Sequence, residues 1–341
     1  MRLGAIGDVV NALVFASALK EAQPGIELHW AVHPLAAPLV QGNPLVDRVH
    51  VWNRGQGLGE FLRLRRELRS EGFDLAVDLQ RLFKSSLLAR CSLAKRVLGY
   101  DSARAKECSW LLTRERIAPG DPSSHMLEQY LEFARHLKAG TPKRLHVLPE
   151  DPISEAWADG LLAEIGGAPI LVNVGASKLA NRWPAERFGA LIAALREEHA
   201  HPICLVGGPQ DVAEGELAMQ AHREASGAVA PPRNLVGETS LRMLVALCRR
   251  ARLFVGCDTG PMHIAGAVGC PVVALFGPAD ERRTGPYFDQ AYVVRSPEPC
   301  PACEAGKRHG HRCMQSIQVS EVSAMAKRRL EDASGERTQS S

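Results

Sequence analysis

The residues best suited to chemistry lie in one short stretch, residues 258–263, which reads Asp-Thr-Gly-Pro-Met-His. Pro261 favours the first turn of a helix, because the N–H group that proline lacks would have no partner there. Thr259 or Gly260 is then the expected cap, and the free N–H groups of the helix start attract anions, most often phosphate. Asp258 beside such an anion is best explained by hydrogen bonds to the hydroxyls of a sugar or a ribose. The alternative is a purely structural role, in which these residues only cap the helix.

Two apolar runs flank this stretch, residues 253–255 and 272–276, and both are typical of buried strands. The small residues 264–268 between them predict a helix packed closely on a sheet. His263 begins that helix, where the alternative to a ligand role is to fill a polar corner. Asp258 lies at the carboxyl end of the first strand, where open parallel sheets bind their ligands. Asp-Thr-Gly also occurs in aspartic proteases, but in an all-β context that this chain lacks.

Two other loops follow predicted strands of the same sheet. Ser177 and Lys178 lie in a small-residue turn after the first of these strands, and Arg182 follows four residues later. Lysine and arginine side chains at this place could neutralise a diphosphate. The sequence Gly-Gly-Pro at 207–209 lets a backbone come close to a flat ligand, although it is also an ordinary turn. Small or charged loops at successive strand ends of one sheet indicate a ligand site.

The chain opens with Gly-Ala-Ile-Gly-Asp at 4–8 and continues into apolar residues at helical spacing, 9–20. Asp8 has two explanations. As a helix cap it stabilises the fold by about 1 kcal/mol and needs no function. As a carboxylate at the mouth of the domain it can take a proton from an acceptor hydroxyl. Lys84 and Ser85 leave a later predicted strand, and they reach the same sheet edge as Asp8 if these strands are parallel.

Strands and helices alternate along the whole chain, which indicates an α/β fold with parallel sheets. Strands are predicted at 27–32, 48–52, 74–79, 96–99, 169–174, 203–206, 234–236, 253–255, 272–276 and 292–294. Further helices are predicted at 36–41, 58–71, 123–137, 153–165, 186–198, 212–225, 241–250 and 321–330. The length of 341 residues suits two doubly wound, Rossmann-like domains, 1–150 and 151–330, that face each other across a cleft. Residues 331–341 are polar and are expected to be disordered.

Composition and charge narrow the class of protein. A formal net charge of +3 is too small to indicate a nucleic-acid partner. No run reaches the roughly eighteen apolar residues of a membrane span, and the start has no apolar signal-peptide core. Nine cysteines scattered through predicted strands and helices are typical of a reducing compartment, so we expect a cytoplasmic protein. The basic amphipathic helix at 58–71 is either a solvated face or a peripheral contact with an anionic membrane surface.

One group of side chains has ligand types that suit zinc, namely Cys300, Cys303 and Cys313 with His309 and His311. The cysteine spacing C-x2-C-x9-C does not match a standard zinc finger, and histidines two residues apart rarely both bind one metal. A structural or incidental role is favoured, and no metal site is predicted.

With these motifs, the chain resembles the ADP-heptose:lipopolysaccharide heptosyltransferases, which form glycosyltransferase family 9. Members of that family have two Rossmann-like domains of the GT-B type. The resemblance covers nearly the whole chain, and its most specific part is residues 258–263. It also rests on residues 4–8, 78–80, 84–85, 182–184, 206–209, 234–241, 275–278 and 300–314.

The resemblance implies a reaction that moves a heptose from ADP-heptose to a hydroxyl of the lipopolysaccharide inner core, with inversion at the anomeric carbon. The acceptor would be a core oligosaccharide linked to lipid A, and neither a cofactor nor a metal would take part. Asp8 matches the catalytic base, Thr239 matches a position near the adenine, and Asp258 is expected to bind heptose hydroxyls. With the residues identified above, the donor side comprises Ser177, Lys178, Arg182, Thr239, Asp258, Thr259, Gly260 and His263. Lys84 and Ser85 are the candidates on the acceptor side.

Two features depart from the family pattern. Only residues 1–3 precede the loop at 4–8, where the family has a longer apolar strand, so we expect a start further upstream or a destabilised sheet. Asn181 stands where many members have lysine, and Lys178 is the expected replacement.

Two other functions stay open, an inactive nucleotide-sugar-binding relative and a transferase that uses another nucleotide sugar. An epimerase or dehydrogenase is disfavoured, because no Gly-x-Gly-x-x-Gly follows an N-terminal strand and no Tyr-x-x-x-Lys pair is present.

Overall fold

The computed structural model describes residues 1–226, 231–297 and 312–339. The chain divides into two compact units, Met1–Pro149 and Glu150–Ser341. In both units the paired strands run parallel and alternate with helices, so the predicted α/β class is confirmed.

The first unit contains two parallel sheets. Strands β1 (His29–Val32) and β2 (Arg48–Val51) form one sheet, and β3 (Leu75–Val77), β4 (Arg96–Gly99) and β5 (Glu115–Arg116) form the other. The four strands predicted in this half are confirmed, with ends that move by at most two residues. The sequence does not predict β5, since two charged residues carry no apolar alternation.

The helices of the first unit are α1 (Ile6–Ala22), α2 (Gly57–Ser70), α3 (Phe83–Cys91) and α4 (Met126–His136). Helix α1 begins three residues earlier than predicted, because Ala5 is its N-cap and Asp8 lies inside its first turn. The segment predicted as a helix at 36–41 is a 3₁₀ helix, Pro34–Leu39. Pro38 lies inside that segment, and its missing N–H group disfavours an α-helix there.

An extended segment, residues 1–3, joins the two sheets of the first unit. The Met1 amino group donates a hydrogen bond to the Val77 main-chain oxygen at 2.7 Å. On the other side, the His33 main-chain N–H donates to the Leu3 oxygen at 2.8 Å. The segment therefore lies between β1 and β3 and takes the place of a short central strand.

The second unit is built on one parallel sheet of six strands. They are β6 (Ile170–Asn173), β7 (Ile203–Val206), β8 (Arg233–Asn234), β9 (Leu253–Cys257), β10 (Val272–Phe276) and β11 (Val293–Arg295). Their spatial order is β11-β10-β9-β6-β7-β8, so the order reverses between β6 and β9. This is the doubly wound arrangement, in which ligands bind at the reversal, beyond the carboxyl ends of the strands. The six strands predicted for this half are confirmed, with ends that move by at most two residues.

The helices of the second unit are α5 (Pro152–Ile165), α6 (Ala185–Glu198), α7 (Val212–Ser226), α8 (Leu241–Arg250), α9 (Gly260–Ala267), α10 (Glu281–Thr284), α11 (Cys313–Ser316) and α12 (Val319–Gln339). Helix α12 covers most of the stretch 331–341, for which we expected disorder. Leu330 and Ala333 are 7% and 6% exposed, so this part of the helix buries apolar side chains that favour order.

Trp183 connects the start of α6 to the segment between α11 and α12. The indole is buried, lies edge-on to Phe188 with ring centroids 4.8 Å apart, and donates to the Ile317 main-chain oxygen at 3.1 Å. Arg187 donates to the same oxygen. The residues just before α12 are therefore fixed to the loop that precedes α6.

Within residues 1–226, 231–297 and 312–339, no helix combines the length and the apolar character that a membrane span requires.

Candidate active site

The loop between β9 and α9 has the local structure that the sequence predicts. Thr259 is the N-cap of α9, with an extended backbone (φ −148°, ψ 167°), and Pro261 lies in the first turn. The Thr259 hydroxyl donates to the Cys257 main-chain oxygen at 3.2 Å, so this side chain does not cap the helix. The residues of the loop that were predicted to bind a ligand are all half-buried: Asp258, Thr259, Gly260 and His263.

The thiol at the end of β9 does not take part as a nucleophile. Cys257 is fully buried, and burial raises the pKa of its thiol to about 12. A thiol with that pKa stays protonated at neutral pH, and the protonated form is a poor nucleophile. The polar groups of this loop are therefore the Asp258 carboxylate, the Thr259 hydroxyl and the main-chain groups of the helix start.

Asn181 fixes the position of Asp258. Its side-chain Nδ2 donates to the Asp258 main-chain oxygen at 3.2 Å and to the Asp258 Oδ2 at 3.3 Å. Asn181 ends the 3₁₀ turn Leu179–Asn181 after β6 and is only 6% exposed. Because β6 and β9 are neighbours, with Asn173 opposite Gly256, these bonds cross the reversal point of the sheet. Sequence reasoning noted Asn181 only as a departure from a lysine and missed this role.

The two predicted cations of the loop after β6 differ in their surroundings. Ser177 and Lys178 are exposed, and no ion pair among the described residues involves Lys178. Arg182 Nε donates to the Ala176 main-chain oxygen at 2.8 Å, and its guanidinium pairs with Glu214. Its charge is thus already compensated in part by protein carboxylates. Lys178 is the better candidate to neutralise a bound anion.

A second carboxylate, Asp211, also lies near Arg182. Asp211 Oδ1 is 3.5 Å from the Arg182 guanidinium, and its Oδ2 accepts a hydrogen bond from the Gly208 N–H at 2.9 Å. Asp211 is 2% exposed, and a Cβ on Gly175 would lie 2.1 Å from its Oδ2. The loops after β6 and β7 therefore approach each other closely, and a side chain at position 175 would displace the buried Asp211 carboxylate. Sequence reasoning missed this carboxylate, which no local motif marks.

Thr239 lies in the loop after β8, two strands beyond β6 on the same sheet. It is half-buried and precedes Ser240, the N-cap of α8, whose hydroxyl accepts from the Met243 N–H at 3.2 Å. Strands are spaced about 4.8 Å apart, so β8 lies roughly 14 Å across the sheet from β9. Thr239 therefore follows a strand whose carboxyl end lies on the same sheet edge as the end of β9.

Asp8 lies in the first turn of α1 rather than at its N-cap. Its Oδ2 accepts a hydrogen bond from the Ala5 N–H at 3.4 Å and forms an ion pair with Arg2. The Asp8 side chain is 35% exposed, whereas that of Arg2 is 7% exposed. Arg2 also lies over the ring of Tyr130, 5.9 Å from its centroid. A buried cation thus holds a carboxylate that remains open to solvent, and sequence reasoning missed Arg2.

The two acceptor-side candidates on α3 are not equivalent. Lys84 is exposed, but Ser85 is fully buried and its hydroxyl donates to the Leu82 main-chain oxygen at 2.8 Å. The first turn of the helix turns Ser85 inward, which argues against the acceptor-side role predicted for it. The next residue, Ser86, is also buried and donates to Asp78.

The cysteine and histidine group considered for zinc falls mostly outside the described residues, because Cys300, Cys303, His309 and His311 lie between 297 and 312. Cys313 is described, and it is a buried residue at the start of α11.

Comparison with known proteins finds relatives with similar sequences and solved structures with a similar fold. The lipopolysaccharide core heptosyltransferase OpsX of Haemophilus influenzae is 28% identical to this chain. The alignment covers 96% of this chain and 95% of OpsX. The structure of the Escherichia coli ADP-heptose lipopolysaccharide heptosyltransferase II superposes with a TM-score of 0.78 at 23% identity, covering 97% of this chain and 99% of that one. The E. coli heptosyltransferase WaaC with ADP superposes with a TM-score of 0.74 at 21% identity, covering 96% and 98%.

The model of one protein family matches residues 61–311, a range that includes the loops after β6, β7, β8 and β9. That range is well over half of the chain. The chain therefore belongs to glycosyltransferase family 9, the heptosyltransferase family.

Proposed function

We propose that this protein transfers a heptose from ADP-heptose to a hydroxyl of the lipopolysaccharide core, with inversion at the anomeric carbon. The observation that carries the proposal is the arrangement at the reversal point of the second sheet. There the start of α9 and the Asp258 carboxylate, which Asn181 holds in place, lie together. The substrates are inferred from the names of the similar proteins, which mention ADP-heptose, ADP and the lipopolysaccharide core.

Binding of the donor follows from the chemistry of the loop residues. The main-chain N–H groups of Gly260 and Met262 suit the diphosphate, because a helix start carries partial positive charge and its first N–H groups have no acceptor within the helix. Lys178 adds a full positive charge from the neighbouring loop. Asp258 accepts hydrogen bonds from the heptose hydroxyls, and Thr239 is assigned to the adenine end of the nucleotide.

The chemical step is a single displacement. The acceptor oxygen forms a bond to the anomeric carbon while the bond from that carbon to the diphosphate oxygen breaks, and ADP leaves with the electron pair. Asp8 takes the proton of the acceptor hydroxyl. As the bond to ADP breaks, negative charge grows on the diphosphate, so fixed donors aimed at it lower the barrier. Loss of one such donor costs about 3 kcal/mol of transition-state stabilisation.

Arg182 has a different role in this proposal from the one expected. Its contacts with Ala176 and Glu214 make it a positioning residue that fixes the loop carrying Lys178. It acts on the donor through the shape of that loop and not through its own charge.

A lipid-linked acceptor also requires access to a membrane surface, and α2 is the element that suits this contact. Its exposed residues include Leu58 and Leu62 beside Arg66 and Arg69. Apolar and cationic side chains on one amphipathic helix favour an anionic bilayer surface. Sedimentation with anionic vesicles checks this part of the proposal, since Arg66→Glu with Arg69→Glu should lower the bound fraction. Equal binding of the two proteins would remove α2 from the contact.

The test of the main function is an assay with defined substrates. The protein is incubated with ADP-heptose and a core oligosaccharide acceptor that lacks heptose, and ADP release and the anomeric configuration of the product are followed. We expect acceptor-dependent ADP release and an inverted product. A panel of other ADP-, UDP- and GDP-sugars forms the control. Turnover only with another nucleotide sugar, or a retained configuration, would contradict the proposal.

A further inference from the structure

Two histidines of the first unit face each other across neighbouring strands. His29 begins β1 and His50 lies in β2, and the distance from His29 Nδ1 to His50 Nε2 is 2.9 Å. Glu71 follows α2 and brings a carboxylate to the same place. One nitrogen from each histidine and one Glu71 oxygen all lie within 4.8 Å of one another. This cluster lies in Met1–Pro149, whereas the donor loop lies in Glu150–Ser341.

The outer nitrogens of both rings are held by carboxylates. His29 Nε2 lies 2.9 Å from Glu27 Oε1, and His50 Nδ1 lies 2.5 Å from Glu67 Oε1. Ionised carboxylates only accept hydrogen bonds, so each outer nitrogen must carry a proton and donate it. The two inner nitrogens then face each other, 2.9 Å apart. The carboxylates thus hold both rings in the orientation and tautomer that a pair of histidines needs to bind a metal through its inner nitrogens.

We propose that this cluster binds a divalent transition-metal ion of the zinc type through His29 Nδ1, His50 Nε2 and the Glu71 carboxylate. Zinc binds histidine nitrogen at about 2.0–2.1 Å, so a tetrahedral ion would set the two nitrogens about 3.3 Å apart. The observed 2.9 Å requires a movement of only a few tenths of an ångström. A fourth position is left for water.

The surroundings have the features of a metal site beyond its ligands. Metal-binding histidines usually donate their other ring N–H to a carboxylate, which is the arrangement of Glu27 and Glu67 here. The side chain of His50 is fully buried and that of His29 is 7% exposed, so both rings are held rigidly. The edge of Phe73 packs on His29 with ring centroids 5.0 Å apart and covers one side.

Charge also favours a cation at this place. Three carboxylates surround the two rings, and two arginines offset part of their charge, Arg48 on Glu71 and Arg63 on Glu67. The Arg48 side chain is 59% exposed, so it can turn away and release Glu71 to the ion. The bound ion would connect β1, β2 and the end of α2 and would therefore stabilise the first unit.

Zinc binding to the full chain tests the proposal. The protein is stripped with a chelator, and zinc is titrated in competition with a chromophoric zinc indicator. We expect one zinc ion that depends on this cluster. His29→Ala and Glu71→Gln should each lower the affinity by at least roughly 10- to 100-fold, the loss that removal of a group hydrogen-bonded to a ligand already causes. Glu71→Gln keeps the size of a side chain that is partly exposed just after α2, so it tests the site even where His29→Ala fails to fold.

Two control variants separate this cluster from other zinc-binding groups. His136→Ala removes a histidine that pairs with a single carboxylate, Glu115, and should leave the affinity unchanged. Replacement of both Cys300 and Cys303 by serine should remove any zinc bound by cysteine and keep the ion bound by the histidines. Cobalt in place of zinc should give a visible absorption spectrum that His29→Ala abolishes. The proposal is overturned if zinc does not bind, or if binding is the same in Glu71→Gln.

Discussion

Asn181 donates two hydrogen bonds to Asp258, one to its main-chain oxygen and one to its carboxylate, from a residue that lies 77 positions earlier in the chain. The bonds connect the loops after two neighbouring strands, β6 and β9, at the point where the order of the sheet reverses. A carboxylate held at both its main chain and its side chain has few orientations to lose when a sugar binds. In the proposed donor site, the carboxylate is thus positioned by a residue that does not itself carry charge.

We expect Asn181→Ala to weaken binding of ADP-heptose about 10- to 100-fold, because a hydrogen bond to a charged group contributes about 1.5–3 kcal/mol. Binding of ADP should change much less, since Asp258 is assigned to the heptose and not to the nucleotide. Isothermal titration calorimetry with both ligands measures the difference. Asn53→Ala, which removes an asparagine that caps a short turn in the first unit, is the control. An equal loss for ADP would show that Asn181 acts on the whole loop.

Asp8→Asn should lower kcat by about 10²–10⁴, the usual contribution of a general base, because the amide cannot take the acceptor proton. The affinity for ADP should stay the same, since ADP is assigned to residues of the other unit. ADP release with saturating substrates measures kcat. Asp74→Asn changes an exposed carboxylate that pairs with Lys95 and should leave kcat unchanged. Turnover near that of the unaltered protein would remove Asp8 from the mechanism.

Lys178→Ala and Arg182→Ala should have different effects, although both remove a cation from the same loop. Lys178→Ala should weaken ADP binding about tenfold with little change in stability, because this side chain is exposed. Arg182→Ala should lower the free energy of unfolding by about 2 kcal/mol, because Asp211 and Glu214 lose a partner and Asp211 is buried.

Urea unfolding and ADP titration of both variants test this pair of expectations. If Arg182→Ala keeps its stability and loses ADP binding, then the guanidinium contacts the diphosphate directly, as the sequence predicted. If Lys178→Ala binds ADP normally, the diphosphate is held by the helix start alone.

Protonation of Glu115 in acid should make the first unit less stable. Hydrogen bonds from Arg96 and His136 lower the pKa of the Glu115 carboxyl from 4.5 to about 2. A carboxyl with a lowered pKa in the folded state stabilises the fold above the pKa of the unfolded state, and this contribution disappears as pH falls from about 4.5 to about 2. We expect about 1 kcal/mol at pH 7, because solvent screens a side chain that is 27% exposed.

The measurement is urea unfolding of the unaltered protein and of Glu115→Gln between pH 7 and pH 3. The difference in free energy of unfolding should be constant at neutral pH and should shrink below pH 4.5. Glu128→Gln, which changes an exposed partner of Arg135, should give a smaller difference. A difference that does not depend on pH would mean that Glu115 acts through packing and not through charge.

The local features of the fold and the site could be predicted from the sequence, because they depend on residues close together in the chain. The β9 and α9 unit follows from two apolar runs around Pro261, and the structure has both strands and the helix there. Arg182 could be identified as a cation but not as one already paired, because Glu214 lies 32 residues away on another helix. The burial of Ser85 also depends on the direction of a helix turn, which no motif reveals.

Contacts between distant segments were beyond sequence reasoning for the same physical reason. Asn181 finds Asp258 only once β6 and β9 are paired. His29 and His50 meet because β1 and β2 are parallel neighbours, and 21 residues separate them in the chain. Their spacing has no resemblance to a common metal-binding motif. Arg2 could not be assigned to Asp8, since its orientation depends on the burial of its side chain against Tyr130.

Trp183 and Arg187 both donate hydrogen bonds to the Ile317 main-chain oxygen. Under the proposed function, these bonds give the last part of the described chain a remote influence on donor binding. Asn181, Arg182 and Trp183 are consecutive in the chain. Removal of the segment around Ile317 would release an indole N–H that is otherwise buried, and the loop after β6 would lose its anchor. Affinity for the sugar nucleotide would then fall through loss of rigidity, although no donor-binding residue had been altered.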